Sequence, residues 1–224
     1  MNRKIIVTQD NSKTLLNSEL NETYHSTNGA FNEAIHVFIE AGITFFDQKK
    51  HLSIFEMGFG TGLNALLTAN HALKNNLHID YTGIEKHPLN IELVQALNYP
   101  QLVENEQAEQ QFNLLHTSEW NVKNQISPNF TLTKIATDLQ DDLSLTQKFD
   151  IVFYDAFGPR VQPHLWTIES LNKMYDLLVP GGILVTYCAQ GQFKRNLKSL
   201  GFMVENLPGP PGKREMTRAI KPKA

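Results

Sequence analysis

Residues 55–64 read FEMGFGTGLN, with three glycines at alternate positions, Gly58, Gly60 and Gly62, behind an acidic residue, Glu56. Glycine loses more freedom on ordering than any other residue, so such a cluster marks a tight turn or a ligand lying against the backbone. Further along stand Glu85, closing IDYTGIE, Asp138, in ATDLQDD, and Asp155, near the end of FDIVFYDA. Carboxylates accept hydrogen bonds from hydroxyls and amines, attract a cationic centre, and can take a proton from a nucleophile. The chemistry these residues describe is the capture of a small ligand with a positive end, beside a group that can handle a proton.

They can act together only if the fold gathers them, and the hydrophobic pattern supplies one that does. KIIVT (4–8) and KTLLN (13–17) predict an N-terminal β-hairpin, and Phe31, Ile35, Phe38 and Ile39 give residues 28–41 helical spacing. Strands then alternate with helices. The pattern predicts strands at 52–57, 79–85, 130–136, 149–156 and 182–188. Helices are expected at 62–74, 88–97 (with Pro88 near its first position), 105–119, 163–178 and 191–199. Short strands near 202–207 and 215–220, joined by PGPPG, predict a closing hairpin with an antiparallel strand. This order implies an α/β fold with a parallel sheet covered on both faces. Residues 1–50 are expected to form a hairpin and helix extension packed on a main domain of residues 51–224. In such a sheet ligands sit beyond the carboxyl ends of the strands, where strand order reverses. Glu56, Glu85, Asp138 and Asp155 fall at or just past four successive strand ends, so a shared ligand site is expected.

Composition narrows the class. With 224 residues, 41% hydrophobic and 19% charged, the chain reads as a globular protein rather than a disordered one. Cys188 is the single cysteine, which excludes an intrachain disulfide, and the histidines lack ligand spacing, so no metal is expected. No apolar run reaches membrane-spanning length and the start is polar, so a cytoplasmic protein without a membrane partner is expected. The net charge of −3 hides an asymmetry: residues 191–224 hold eight Lys/Arg against Glu205 and Glu215, making that stretch +6 and the rest −9. Such a stretch can serve a polyanion, or it can be a solvated surface.

Two cofactors compete for the glycine turn. A dinucleotide motif, Gly-x-Gly-x-x-Gly, would need glycine where Leu63 stands, and Glu56 would repel a pyrophosphate. A carboxylate there suits S-adenosylmethionine, which carries a sulfonium and an amino group. Glu85, 23 residues past Gly62, has the spacing for a ribose diol in either cofactor. Asp138 can accept the adenine amino group, with Asp141 and Asp142 as rivals and a helix N-cap as the structural alternative.

Four segments, FEMGFGTGLNALLTA, FDIVFYDAFGPRVQPHLWT, VPGGILVTYCAQGQFKRNLKSLGF and GPPGKREM, together with YHSTNGAFNEAIHVFI at 24–39, carry a family resemblance. They resemble the methyltransferase half of the bifunctional bacterial protein MnmC in its stand-alone form. The glycine motif is generic to class I S-adenosylmethionine-dependent methyltransferases with Rossmann-like sheets. The Asp-x-Phe-x-Pro loop and the late Lys-Arg-Glu-Met are more specific. The resemblance implies cofactor contacts at Glu56, Gly58, Gly60, Gly62, Glu85, Asp138 and Asp155, with Asp155 as the active-site aspartate. It also implies methylation of 5-aminomethyl-(2-thio)uridine at the wobble position of tRNA, with the aminomethyl group supplied by a separate enzyme. No second nucleotide-binding half follows, so FAD is not expected. Ala156-Phe157-Gly158-Pro159 departs from the Gly-Phe-Ala-Pro of the fused proteins.

Phe157 offers a flat face for a base or fills the core, and Trp166 reads as packing. Tyr24 and Ser26 are implied as a lid, and Lys213 and Arg214 as phosphate contacts for the anticodon loop. Two other readings stay open: a class I transferase acting on a small-molecule amine by methyl or aminopropyl transfer, and a non-catalytic RNA-binding module.

Overall fold

The computed structural model describes residues 3–141, 143 and 145–223; Asp142, one candidate for adenine, lies outside them. Strands β1 (Arg3–Val7) and β2 (Lys13–Asn17) form the N-terminal hairpin, and β3 (Glu22–Thr23) adds a short third strand. Helix α1 (Ala30–Ala34) runs on into a π-helical segment, Ile35–Glu40. The main sheet then begins with β4 (His51–Met57), α2 (Leu63–Lys74) and β5 (His78–Glu85). It continues through α3 (Ile91–Gln95), α4 (Ala108–Thr117), β6 (Lys123–Ser127), β7 (Phe130–Ala136) and β8 (Phe149–Tyr154). The chain closes with α5 (Ile168–Leu177), β9 (Leu178–Thr186), α6 (Gly191–Ser199), β10 (Met203–Pro208) and β11 (Glu215–Ile220).

The eight strands lie in the order β10-β11-β9-β8-β4-β5-β7-β6. The five central strands are parallel, while β6, β11 and β10 pair antiparallel with their neighbours. From β4 the chain steps outward to β5 and β7, then returns to the other side of β4 for β8 and β9. Order therefore reverses between β4 and β8, and the crevice beyond their carboxyl ends is the place for a ligand. No described helix is long and apolar enough to cross a membrane.

Alternation along the strands decides which way each end faces. Ile151 and Phe153 pack with Leu66 of α2, Phe112 of α4 and Phe38, whose ring lies 5.0 Å from Phe153. Val152 and Tyr154 pack on the opposite face with Leu171 of α5 and Phe193 and Leu197 of α6. Burying each such side chain stabilises by about 1.5–3 kcal/mol, and a one-residue slip would turn them all to the wrong face. Leu15, Ala34 and Val37 from the first 50 residues belong to the same core as Ile54 and Phe153.

Three elements differ from the sequence-based expectation. β6, KNQIS, was not expected: it lies at the sheet edge, and its one apolar residue, buried Ile126, leaves no apolar alternation. The helix expected over 88–97 shrinks to α3, because the Asn90 side chain caps it by accepting from Leu93 N at 2.9 Å, leaving Pro88 outside. Trp166 sits in a 3₁₀ turn, Pro163–Trp166, because Thr167 caps α5 after it, its side chain accepting from Ser170 N. β8 ends at Tyr154, so Asp155 is the first residue beyond the strand.

Candidate active site

The turn between β4 and α2 is built from left-handed glycines: φ is +92° at Gly58, +50° at Gly60 and +73° at Gly62. Gly58 N and Phe59 N both donate to Ile84 O, at 3.2 and 2.9 Å, tying the turn to the end of β5. A Cβ on Gly58 would come within 2.7 Å of the Asp155 carbonyl oxygen, and one on Gly62 within 2.7 Å of His116 Nε2. Those two glycines are demanded by packing. At Gly60 the nearest atom is a Tyr24 ring carbon at 3.4 Å, and its face opens to a cavity of about 250 Å³. The cavity is walled by the glycine turn, the ends of β5, β7 and β8, and the segment after β3.

Glu85 reaches back from β5, accepting from Gly60 N at 2.9 Å and His87 N at 2.7 Å. A carboxylate has about four lone-pair sites, so it can still take a diol from the cavity. Asp138 lines the same cavity; its Oδ2 accepts from Lys86 Nζ at 2.6 Å and its Oδ1 from Gln140 N at 3.1 Å. Burial alone would push this carboxyl up, but the Lys86 ammonium and the Gln140 N–H outweigh it and hold it low. Asp141 is exposed, turns its carboxylate back to Thr137 and Asp138 N, and does not line the cavity.

Asp155 is held beside the glycine turn by its own N–H, which donates to Met57 O at 3.1 Å. Its carboxylate forms part of the cavity wall and accepts from Asn64 Nδ2 at 2.8 Å. Burial first, then the charge of Glu33, pushes its carboxyl up to about 7, while Asn64 and Lys213 pull the other way. Glu56 departs from expectation. It is 1% exposed, does not line the cavity, and stands behind Asn64, which donates to its Oε1 at 2.9 Å. Burial, opposed by the Asn64 hydrogen bond and reinforced by Asp155, pushes Glu56 well above the usual carboxylate range. Glu56 braces Asn64 from behind and does not itself reach the cavity.

The Tyr24 ring covers the cavity edge-on to Phe157, centroids 5.0 Å apart, and Arg3 Nε donates to its hydroxyl at 3.0 Å. Ser26 lies off the cavity, its Oγ accepting from Asn28 N at 3.1 Å. Trp166, 4% exposed, donates from Nε1 to Phe157 O at 2.9 Å and packs on Tyr154 and Phe193. Lys213, expected to hold phosphate, is instead engaged within the protein in this structure: its ammonium is paired with buried Glu33 and lies 3.9 Å from the Tyr187 ring centroid. Arg214, next to it, is exposed, and its side chain makes no hydrogen bond among the described residues. Asn64, Glu33 and Tyr187 went unnoticed in the sequence. The signal for Glu33 was an acid set between Phe31 and Ile35 in a helical stretch, with Glu40 the other acid there.

The cavity fits S-adenosylmethionine: a floor of backbone without side chains, two carboxylates for hydroxyl and amino groups, and a third beside the turn. That cofactor supplies an electrophilic methyl on a sulfonium. Glu85 would hold hydroxyls, Asp138 would accept an amino group, and Tyr24 with Phe157 would shield the space from water. Calorimetry is expected to register S-adenosylmethionine and not NAD, and Glu85→Ala should weaken that binding about 10-fold or more. Tighter binding of NAD would refute this assignment of the turn.

Residues 101–222 match the model of a family described as S-adenosyl-L-methionine-dependent methyltransferase. The bifunctional protein MnmC of tRNA 5-methylaminomethyl-2-thiouridine biosynthesis from Aromatoleum aromaticum is 31% identical, over 88% of this chain and 32% of that one. Its counterpart from Campylobacter hominis is 28% identical, over 92% of this chain and 31% of its own length. The chain thus spans about a third of these curated relatives. The crystal structure of MnmC2 from Aquifex aeolicus superposes with a TM-score of 0.77 at 25% identity, covering 100% of this chain and 72% of that one. With the glycine turn, the carboxylates and the strand order in agreement, the chain belongs to the S-adenosyl-L-methionine-dependent methyltransferase family.

Proposed function

We propose that the protein methylates the primary amine of 5-aminomethyl-(2-thio)uridine at the wobble position of tRNA, giving 5-methylaminomethyl-(2-thio)uridine. The observation that carries this reading is Asp155, a carboxyl pushed up to about 7 at the cavity wall just past β8. An alkylamine is mostly protonated near neutral pH, with lysine at about 10.4 as a guide, and an ammonium has no lone pair to attack with. A carboxylate that titrates near 7 can accept the hydrogen bonds of the arriving amine, aim its lone pair and receive its proton. Alignment supplies the rest, since displacement at a methyl requires an in-line approach. Glu85, Asp138 and the glycine turn hold the cofactor in this reading, and residues 1–50 act as an extension that covers it through Tyr24.

The names of the MnmC relatives favour tRNA over a small-molecule amine. A wobble base is single-stranded, so it can be splayed into a pocket without opening a duplex. Phe157 offers it a ring face, and exposed Arg195, Lys198 and Arg214 on the +6 stretch can meet phosphates. The aminomethyl group would come from a separate enzyme.

Incubation of the protein with S-adenosylmethionine and tRNA carrying aminomethyluridine is expected to convert that nucleoside to its N-methyl form, read by mass spectrometry of digested tRNA. Methylation of free alkylamines with none on tRNA would refute the tRNA reading. Arg214→Ala should weaken tRNA binding and reduce the log–log salt slope by about 0.7–0.9, the share of one phosphate contact. An unchanged slope removes Arg214 from the RNA surface.

A further inference from the structure

The two ends of the chain meet beside Asp155. Glu33, on α1, is 6% exposed; its Oε1 accepts from Ser26 N at 3.0 Å and its Oε2 from Lys213 Nζ. Lys213 arrives from the tip of the closing hairpin, 180 residues away. That tip is docked rather than loose. A Cβ on Gly212, where φ is +82°, would fall 2.0 Å from Asn28 Nδ2, so the tip lies tight against the segment before α1. The His36 ring, through Nε2, meets Pro208 O at 2.8 Å and fastens the same contact. Under Lys213 lies Tyr187, whose hydroxyl donates to Ala156 O at 2.7 Å, the residue after Asp155.

We propose that the Glu33–Lys213 pair is a positioning device that sets the ionisation of Asp155, with the hairpin tip and the α1 segment each delivering one charge. The groups facing Asp155 from the surrounding elements are Glu56 from β4, Tyr81 from β5, Tyr99 before α4, Tyr187 after β9, Glu33 and Lys213. Burial pushes all three tyrosines up, so they stay neutral, and it pushes Glu56 well above the usual carboxylate range, which favours its neutral form. His25, which adjoins the pair, is driven by burial down to about 4 and is also neutral. The charges left facing Asp155 are therefore one anion, which opposes its ionisation, and one cation, which favours it. Because they are salt-bridged to each other, their effects oppose one another while both are present, that of Glu33 being the larger. Loss of either one exposes the other.

The proposal concerns the aspartate that the proposed function uses, but its test needs no substrate. The protein is labelled with aspartate carrying ¹³C at the carboxyl, and the Asp155 signal is identified by its absence in Asp155→Asn. Its titration is then followed by NMR. Lys213→Met should move the Asp155 midpoint up by roughly 1 unit, and Glu33→Gln should move it down by a similar amount. The double variant should return close to the parent. Glu33→Gln keeps the shape and can keep the hydrogen bond to Ser26 N, so it decides the matter even if Lys213→Met fails to fold. An unmoved midpoint in Glu33→Gln, or single variants shifting in the same direction, overturns the proposal. If the shifts occur and tRNA is not methylated, the pair stands and the substrate assignment falls.

Discussion

Replacing Asp155 by alanine is expected to cut methyl transfer by roughly 10²–10⁴-fold while leaving S-adenosylmethionine affinity within a few-fold of the parent. The geometry separates these effects. Glu85 and Asp138 lie at the ends of β5 and β7, whereas Asp155 follows β8 and bonds Asn64. The kcat of the parent should rise with pH through about 7 as Asp155 loses its proton, and this limb should vanish in Asp155→Asn. Stability should respond with the opposite sign. The folded carboxyl holds its proton more tightly than the reference value of 3.8, so its contribution is present at low pH and lost as pH rises through about 7. Asp155→Asn, which cannot ionise, should therefore melt progressively higher than the parent across that window. Near-normal turnover in Asp155→Ala would remove the aspartate from the chemistry. A flat difference in melting would mean that its carboxyl is not raised.

Gly58→Ala is expected to be the most damaging small substitution in the glycine turn. Its φ of +92° is unfavourable for any residue with a Cβ, and that Cβ would press on the Asp155 carbonyl oxygen at 2.7 Å. Backbone cannot rotate away as a side chain can, so either the turn or the end of β8 must shift. Left-handed strain and overpacking together cost about 2–5 kcal/mol, or roughly 4–20 °C in melting temperature for a chain of this size. Cofactor affinity should fall more than 10-fold, because the displaced turn is the cavity floor. Gly60→Ala is the control: φ is +50° and the nearest atom lies 3.4 Å away on a side chain that can yield. It should cost only about 1–2 kcal/mol of stability. Equal melting of the two variants would show that the turn tolerates a Cβ anywhere and that close approach to β8 is not its constraint.

The α/β pattern, the glycine turn and the acidic strand ends were legible because their physical causes are local. The apolar run IVFY or the helical spacing in 191–199 depends only on near neighbours, and a Gly-x-Gly-x-Gly run needs no partner to declare a left-handed turn. Edge strand β6 escaped because a strand with a single apolar residue, Ile126, leaves no apolar period. The roles of charges were decided elsewhere. Glu56 and Asp155 look alike in sequence, each at a strand end, yet one stands behind Asn64 at 1% exposure and the other forms the cavity wall. Lys213 and Arg214 are adjacent basic residues, and only the docking of the hairpin tip on Asn28 pairs one with buried Glu33 and leaves the other exposed. Ion pairing and desolvation depend on which distant segments come within a few ångströms, and residues 33 and 213 carry no shared period that could announce their contact. Composition and spacing determined which chemistry this chain could hold; the tertiary packing decided which carboxylate lines the cavity and which cation is spent on a buried acid, because the energy of a charge is set by its surroundings.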